Sequence, residues 1–141
     1  LTAGNITTST DKITTTISTN ATNGALVYLS GINNGLQSTV AGSYTINSVT
    51  NNLTSISEGY GARGTTVTQS LGGPMQLISP YNGAGENVGI IDTTKRLISD
   101  STSLPVTSGQ VSFELKAKAS NTTPSALDYT DTLTVIGTGS F

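Results

Sequence analysis

The sequence predicts an all-β protein, an antiparallel β-sandwich of about eight to ten short strands. Three observations predict it. Short stretches rich in Thr, Val, Ile and Tyr alternate apolar with polar residues, as half-buried strands do. Asn-Gly pairs and clusters of Gly and Pro separate these stretches. No stretch of about ten residues combines helical spacing with a capping residue at each end.

The first clear strand covers residues 13–19, in which Ile13 and Ile17 lie on one side and threonines on the other. Asn23-Gly24 follows, and both residues tolerate positive φ, so we expect a hairpin turn into a second strand at residues 25–30. Asn34-Gly35 predicts a similar turn. A short strand is then expected at residues 43–48.

The middle of the chain is divided into shorter pieces. Candidate strands lie at residues 65–70, 75–79, 88–91 and 96–99, between turn-forming segments at 72–74, 80–85 and 92–94. A helical turn is expected near residues 52–58. Gly59-Tyr60-Gly61 indicates a bulge or a bend.

The clearest strand covers residues 110–119, because its two side-chain rows differ completely. The apolar row comprises Val111, Phe113, Leu115, Ala117 and Ala119, and the polar row comprises Gln110, Ser112, Glu114, Lys116 and Lys118. This pattern predicts one buried face. The last strand is expected at residues 129–135, with Leu133 and Val135 in its apolar row, and continues to Phe141. Residues 120–127 between them are expected to form a surface loop.

Nothing in the sequence divides the chain into several domains. It has 141 residues without an internal repeat, so we expect a single sandwich of immunoglobulin-like or jelly-roll-like type at residues 11–141, preceded by an extension at 1–10. Leu, Ile, Val and Phe total 33, just above the composition of disordered chains. The core should therefore be thin and mostly aliphatic.

Composition excludes several classes of function. The chain has 44 Ser and Thr but no His, Cys or Trp, which removes His-paired nucleophiles, thiolate chemistry and the usual zinc sites. Its six Lys and Arg are scattered, so no basic surface for nucleic acid is expected. No apolar run approaches the roughly 20 residues that span a bilayer, so we expect no membrane insertion.

Acidic residues are the only plausible catalytic groups, and no pairing among them is indicated. Asp128 and Asp131 are the closest pair, but on an extended strand they would point to opposite faces. If Asp128 lies in the preceding loop, the two could bind Ca²⁺ with backbone carbonyls; ordinary turn-capping is the alternative. Four others are isolated in expected loops: Glu58, Glu86, Asp92 and Asp100. We therefore expect no enzymatic activity and no cofactor.

Two further patterns concern the surface. Four triplets fit the acceptor signal for N-linked glycans, although a chain rich in Asn and Thr also produces them by chance; they begin at Asn5, Asn20, Asn52 and Asn121. Rows of hydroxyls at residues 14–16 and at Thr130, Thr132 and Thr134 could bind carbohydrate or ice. Ordinary solvent-facing threonine is the alternative.

The N-terminal segment has a weak strand pattern of its own, in which Leu1, Ala3 and Asn5 alternate with Thr2, Gly4 and Ile6. Such a segment can pair within its own domain or with a neighbouring copy. Pairing with a neighbour supplies backbone hydrogen bonds in a head-to-tail arrangement, which generates an open filament.

Three segments carry a resemblance: "TSTDKITTTISTNATNGALVYLSG", "EGYGARG" and "DYTDTLTVIGTGSF". They resemble secreted β-sandwich proteins of candidate-phylum bacteria, and the last is also similar to the closing strand of bacterial surface and pilus-type sandwiches. The functional analogues are pilin-like and TasA-like fibre subunits, which polymerise through N-terminal donor strands.

The resemblance implies an exported, cell-surface protein whose signal peptide has been removed, which fits a chain that begins without Met. It also implies roles for individual residues. The donor strand would include Leu1, Ala3, Asn5 and Ile6. The acceptor core would include Val111, Phe113, Leu115, Leu133 and Val135.

The expected function is that of a structural subunit of an extracellular filament or surface layer, with copies of itself as partners. The alternative is a monomeric adhesin or carbohydrate-binding module that recognises surface glycans. Its ligand site would then lie on loops such as residues 72–74 or 80–85.

Overall fold

The computed structural model describes all 141 residues and confirms the all-β prediction. The strands are β1 (Ile6–Thr8), β2 (Ile13–Thr19), β3 (Ala25–Gly31), β4 (Gly35–Gln37), β5 (Thr45–Asn47), β6 (Asn51–Asn52), β7 (Gly59–Thr68), β8 (Leu71–Gly72), β9 (Gln76–Leu77), β10 (Asn87–Val88), β11 (Arg96–Asp100), β12 (Val106–Lys118) and β13 (Leu133–Gly139). The expected helical turn is a 3₁₀ turn, Leu53–Ser55. Thirteen strands exceed the expected number because four of them contain only two residues.

Two antiparallel sheets make up most of the molecule, consistent with a β-sandwich. In the first sheet, the long strand β12 is central, with β1 and β2 along one edge and β7 and β8 along the other. The second sheet has the order β13-β3-β11-β9. The remaining ladders, β4 with β5 and β6 with β10, have two strands each.

The core contains the residues that period-two patterning predicted. Val111 and Phe113 of β12 are fully buried, and Val27 and Leu29 of β3 join them in one apolar cluster. Three predicted acceptor residues are half-buried and pack against that cluster: Leu115, Leu133 and Val135. Each fully buried side chain of this size contributes about 1.5 to 3 kcal/mol.

The hairpin expected at Asn23-Gly24 is wrong. Gly24 has a positive φ of 80°, as the turn signal predicts, but β2 belongs to the first sheet and β3 to the second. The turn therefore carries the chain from one sheet to the other. A turn signal specifies the local backbone conformation, whereas the partner of each strand depends on contacts that are distant in sequence.

The bulge or bend expected at Gly59-Tyr60-Gly61 is also wrong, because these residues begin β7, which pairs with β12 along most of its length. The glycines allow another segment to approach closely. A Cβ on Gly61 would lie 2.7 Å from the carbonyl oxygen of Gly89. The sequence signal thus reflects a covered sheet face and not a change of direction.

Candidate functional site

The N-terminal segment lies along one edge of β12. Strand β1 pairs antiparallel with residues 116–118, and β2 continues along the same edge, pairing with residues 106–113. Five residue steps separate Thr8 from Ile13, but only three separate their partners Lys116 and Phe113. The two extra residues interrupt the ladder, so β1 and β2 form one edge strand with a break at residues 9–12.

Backbone hydrogen bonds rather than buried side chains hold this segment. Beyond the β1 ladder, the Ser9 amide donates to the Leu115 carbonyl at 2.8 Å, and the Gly4 amide donates to the Ala119 carbonyl at 2.8 Å. None of residues 1–10 is buried, and the side chain of Leu1 is 53% exposed. The segment itself therefore contributes no fully buried side chain to the apolar core.

The proposed donor residues differ in their positions. Ile6 lies in β1 and is half-buried, while Asn5 is exposed and precedes the strand. Ala3 forms a single bridge to Ala119, and Leu1 borders a small apolar hollow of about 160 Å³ between the segment and β12. That hollow is lined by Leu1, Thr7, Ser9, Leu36, Tyr60, Leu115, Lys116 and Ala117.

Lys116 joins this segment to the rest of the sheet. Its Nζ donates to Thr8 Oγ1 at 3.0 Å and to Glu86 Oε2 at 3.0 Å, and lies 3.4 Å from Glu114 Oε1. Arg63 Nη2 pairs with the same Glu114 oxygen at 2.9 Å. The Lys116 side chain is only 7% exposed, so these contacts offset the cost of removing its ammonium group from water.

The sequence did not predict this ion cluster, which consists of Arg63, Glu86, Glu114 and Lys116. Alternation along β12 predicts Glu114, Lys116 and Lys118 on a solvent face, yet Glu114 and Lys116 are buried. Segments around the 3₁₀ turn and around β10 cover them, and Lys118 Nζ donates to the carbonyls of Leu53 and Ile56 at 3.0 and 2.7 Å. The sequence signal for this cover was a pair of glycines at alternate positions of β7, Gly59 and Gly61, which lie on the same face of the sheet.

Asp128 and Asp131 bind different segments. The Asp128 carboxylate accepts hydrogen bonds from the Ser38 hydroxyl, from the Thr39 amide at 2.8 Å and hydroxyl at 3.0 Å, and from the Val40 amide at 3.1 Å. The Ser38 bond, followed by the backbone amides, lowers the pKa of Asp128 to about 2. Asp131 instead accepts from the Asn33 amide at 3.1 Å.

This arrangement fits the turn-capping alternative better than a calcium site at Asp128 and Asp131. A calcium ion needs oxygen ligands, but the groups gathered around Asp128 are N–H and O–H donors that already occupy its oxygens. Asp128 does lie in the loop before β13, as the calcium hypothesis required. No group of three or more His, Cys, Asp and Glu is placed to hold a metal ion.

The four acids that were expected in loops take part in separate contacts, and the expectation is wrong for Asp100, which is the last residue of β11. Glu58 accepts from the Tyr44 hydroxyl at 3.1 Å, which raises the pKa of Tyr44, and Glu86 pairs with Lys116. Asp92 pairs with Arg96, whose hydrogen bond lowers the pKa of Asp92. Asp100 Oδ1 accepts from the side-chain amide of Gln76 at 2.9 Å.

The surface residues singled out from the sequence are mostly accessible. Asn5, Asn20 and Asn121 are exposed, whereas Asn52 is half-buried and its side chain accepts from the Thr54 amide at 2.9 Å. In the hydroxyl rows, the exposed Thr14, Thr16, Thr130, Thr132 and Thr134 face solvent. Thr14 lies 2.8 Å from the Ser112 hydroxyl, so the row on β2 continues onto β12.

A polar cleft of about 340 Å³ lies elsewhere, next to the β4–β5 hairpin. It is lined by Ile32, Asn33, Asn34, Gln37, Thr45, Asn47 and Thr93. The sequence did not indicate it, because its residues come from two separate turns and from the strands β4 and β5. The loops at residues 72–74 and 80–85, which the sequence suggested, do not contribute to it.

Comparisons with known proteins leave the site to be interpreted on its own geometry. The chain matches no protein-family model, and no curated protein or solved structure is significantly similar to it. The only helical segment is a three-residue turn, so no helix has the length and apolarity to cross a membrane.

Proposed function

We propose that this chain is a structural subunit that assembles head to tail by exchanging its N-terminal strand between copies, in an extracellular filament or surface layer. The observation that carries the proposal is the break at residues 9–12. It separates a strand held by backbone hydrogen bonds, β1, from a longer strand, β2, that stays in the sheet. In this proposal the chain is exported and acts at the cell surface.

Exchange keeps every contact that the segment makes in its own chain. Residues 1–8 would pair with residues 116–119 of a neighbour, and Lys116 of that neighbour would bind the incoming Thr8. Eight extended residues reach about 26 Å, enough to bridge adjacent domains. Because the donor and the acceptor are different surfaces, each added copy leaves a free donor and a free acceptor, and the contact propagates along a filament when the rotation between copies does not close a ring.

A disulfide at one register position tests the exchange. Thr7 and Ala117 are partners in the ladder between β1 and β12, and the chain has no native cysteine. Paired strand positions meet the distance requirement of a disulfide. A Thr7→Cys, Ala117→Cys variant, oxidised at high concentration, should give a ladder of covalent multimers on a non-reducing gel.

The outcomes are distinct. If each segment stays on its own chain, the same variant gives a single cross-linked monomer of increased mobility, and exchange is refuted. The two single-cysteine variants serve as controls. Each alone should give at most a slow covalent dimer, whereas their mixture should give a rapid mixed dimer through the ladder position.

The polar cleft supports a second candidate, a carbohydrate-binding module. Asn34 and Asn47 are exposed on its walls, and their amides can both donate to and accept from sugar hydroxyls. A glycan array probed with monomeric protein tests this function. Binding that is lost in Asn34→Ala and Asn47→Ala, but kept in Asn121→Ala, would support it; an empty array would exclude it.

A further inference from the structure

The second sheet has an open edge at β13. This strand pairs only with β3, in an unbroken register from Leu133–Gly31 to Gly139–Ala25. Just beyond its ends, Thr132 accepts from the Ile32 amide at 3.0 Å and Ser140 donates to the Gly24 carbonyl at 2.9 Å. Even-numbered residues therefore direct their backbone groups to β3, and odd-numbered residues direct theirs outward.

This edge lacks the features by which sheets usually avoid pairing with other chains. Residues 132–141 contain no charged residue and no proline, and the ladder has no bulge. Strand β2, which packs beside it with Ile17 against Gly137, is also uncharged from residue 13 to 19. By contrast, the outer edge of β7 carries Arg63 and contacts Gly89.

The sequence of β13 is complementary to itself when reversed. If two copies of β13 run antiparallel with Ile136 opposite Ile136, then Leu133 lies opposite Gly139, Thr134 opposite Thr138 and Val135 opposite Gly137. On the inner face each large apolar residue thus falls opposite a glycine, whereas on the outer face each threonine falls opposite a threonine and Ile136 opposite its own counterpart. Such pairs avoid crowding on the inner face and allow hydroxyl contacts on the outer face.

We propose that β13 pairs antiparallel with β13 of a second copy, about a two-fold axis through Ile136. The outward backbone groups of Leu133, Val135, Gly137 and Gly139 then pair across the axis, joining two four-stranded sheets into one. Leu133 and Val135, half-buried in one chain, gain cover from the second copy. The inference goes beyond strand exchange, because β1 lies in the other sheet and its contacts remain free.

Three single-cysteine variants test the register. Residue 136 of each copy would face its counterpart at a non-hydrogen-bonded position, where Cα atoms lie about 4.5 Å apart. Ile136→Cys should therefore oxidise rapidly to a covalent dimer. Thr134→Cys alone should not, but its mixture with Thr138→Cys should give the mixed dimer. Equal rates for Ile136→Cys and Thr134→Cys, or no cross-link at residue 136, would overturn the proposal.

A proline substitution provides a test without cysteine. The amide of Val135 points outward, so Val135→Pro removes donors from the interface while sparing the ladder to β3. Val135→Ala is the matched control, because it loses the side chain but keeps the amide. Analytical ultracentrifugation should give a dimer Kd for Val135→Pro that is at least about tenfold higher than that for Val135→Ala. Equal Kd values, with circular dichroism unchanged in both variants, would refute pairing through this edge.

Discussion

Lys116 binds Thr8 across the boundary between the N-terminal strand and the central strand of the first sheet. The Nζ–Oγ1 distance is 3.0 Å, and the lysine side chain is 7% exposed. The same amine pairs with Glu86, which lies just before β10. One buried cation therefore stabilises both the docked segment and a loop that covers the sheet.

Replacing Thr8 with Val should loosen β1 specifically. The substitution keeps the β-branched shape but removes the acceptor for Lys116, at a cost of about 0.5 to 1.5 kcal/mol. Amide hydrogen exchange should accelerate at Ser9 and Gly4, which bond to β12, while core amides keep their protection. Thr7→Val, on the same strand, is the control and should leave exchange unchanged. Equal acceleration in both variants would contradict a role for the Thr8 hydroxyl.

Replacing Lys116 with Met should destabilise the whole domain. The change leaves Glu86 without its partner and Glu114 with Arg63 alone, so we expect a loss of roughly 2 to 3 kcal/mol in the free energy of unfolding. Lys12→Met, at an exposed position, should change it by less than about 0.5 kcal/mol. Denaturant titration measures both. A loss no larger than that of the control would show that the cluster has no net stabilising effect.

The sequence predicted the core side of β12 but not the cover on its other side. Val111 and Phe113 follow from alternation, because period two assigns each residue to a face. Glu114 and Lys116 fall on the other face, as predicted, but alternation does not tell whether that face meets solvent. Their burial depends on the 3₁₀ turn and β10, which lie far away in the sequence.

The same limit applies to the turns and the acids. Asn23-Gly24 predicted the positive φ of Gly24 but not the change of sheet, which long-range pairing decides. The sequence predicts a loop position for Asp128 only as one of two alternatives. The partners of Asp128, residues 38–40, lie about ninety positions earlier, so the neighbouring residues in the sequence do not indicate them. Local chemistry was predictable, and contacts between distant segments were not.

Asp128 should make stability depend on pH in the acid range. Its folded pKa of about 2 lies below the ordinary value of 3.8, so the unfolded chain binds a proton first. The stabilisation is then fully present above about pH 4 and is lost as the pH falls towards 2. The free energy of unfolding, measured between pH 2 and 5, should depend less steeply on pH for Asp128→Asn than for the unsubstituted chain. Since Arg96 also lowers the pKa of Asp92, Asp92→Asn is the comparison that separates the two contributions.

Gly61 should tolerate no side chain, because the segment that covers the ion cluster lies directly on it. A Cβ there would come within 2.7 Å of the Gly89 carbonyl oxygen and 2.8 Å of Val88. Gly61→Ala should therefore push β10 outward and weaken the Glu86–Lys116 pair, at a cost of about 1 to 3 kcal/mol. At Gly137 the nearest atom to an added Cβ is the Ile17 methyl at 3.1 Å, which can move, so Gly137→Ala should cost less. Thermal unfolding measures the stability of both variants. An equal loss of stability would show that β10 moves as readily as the Ile17 side chain.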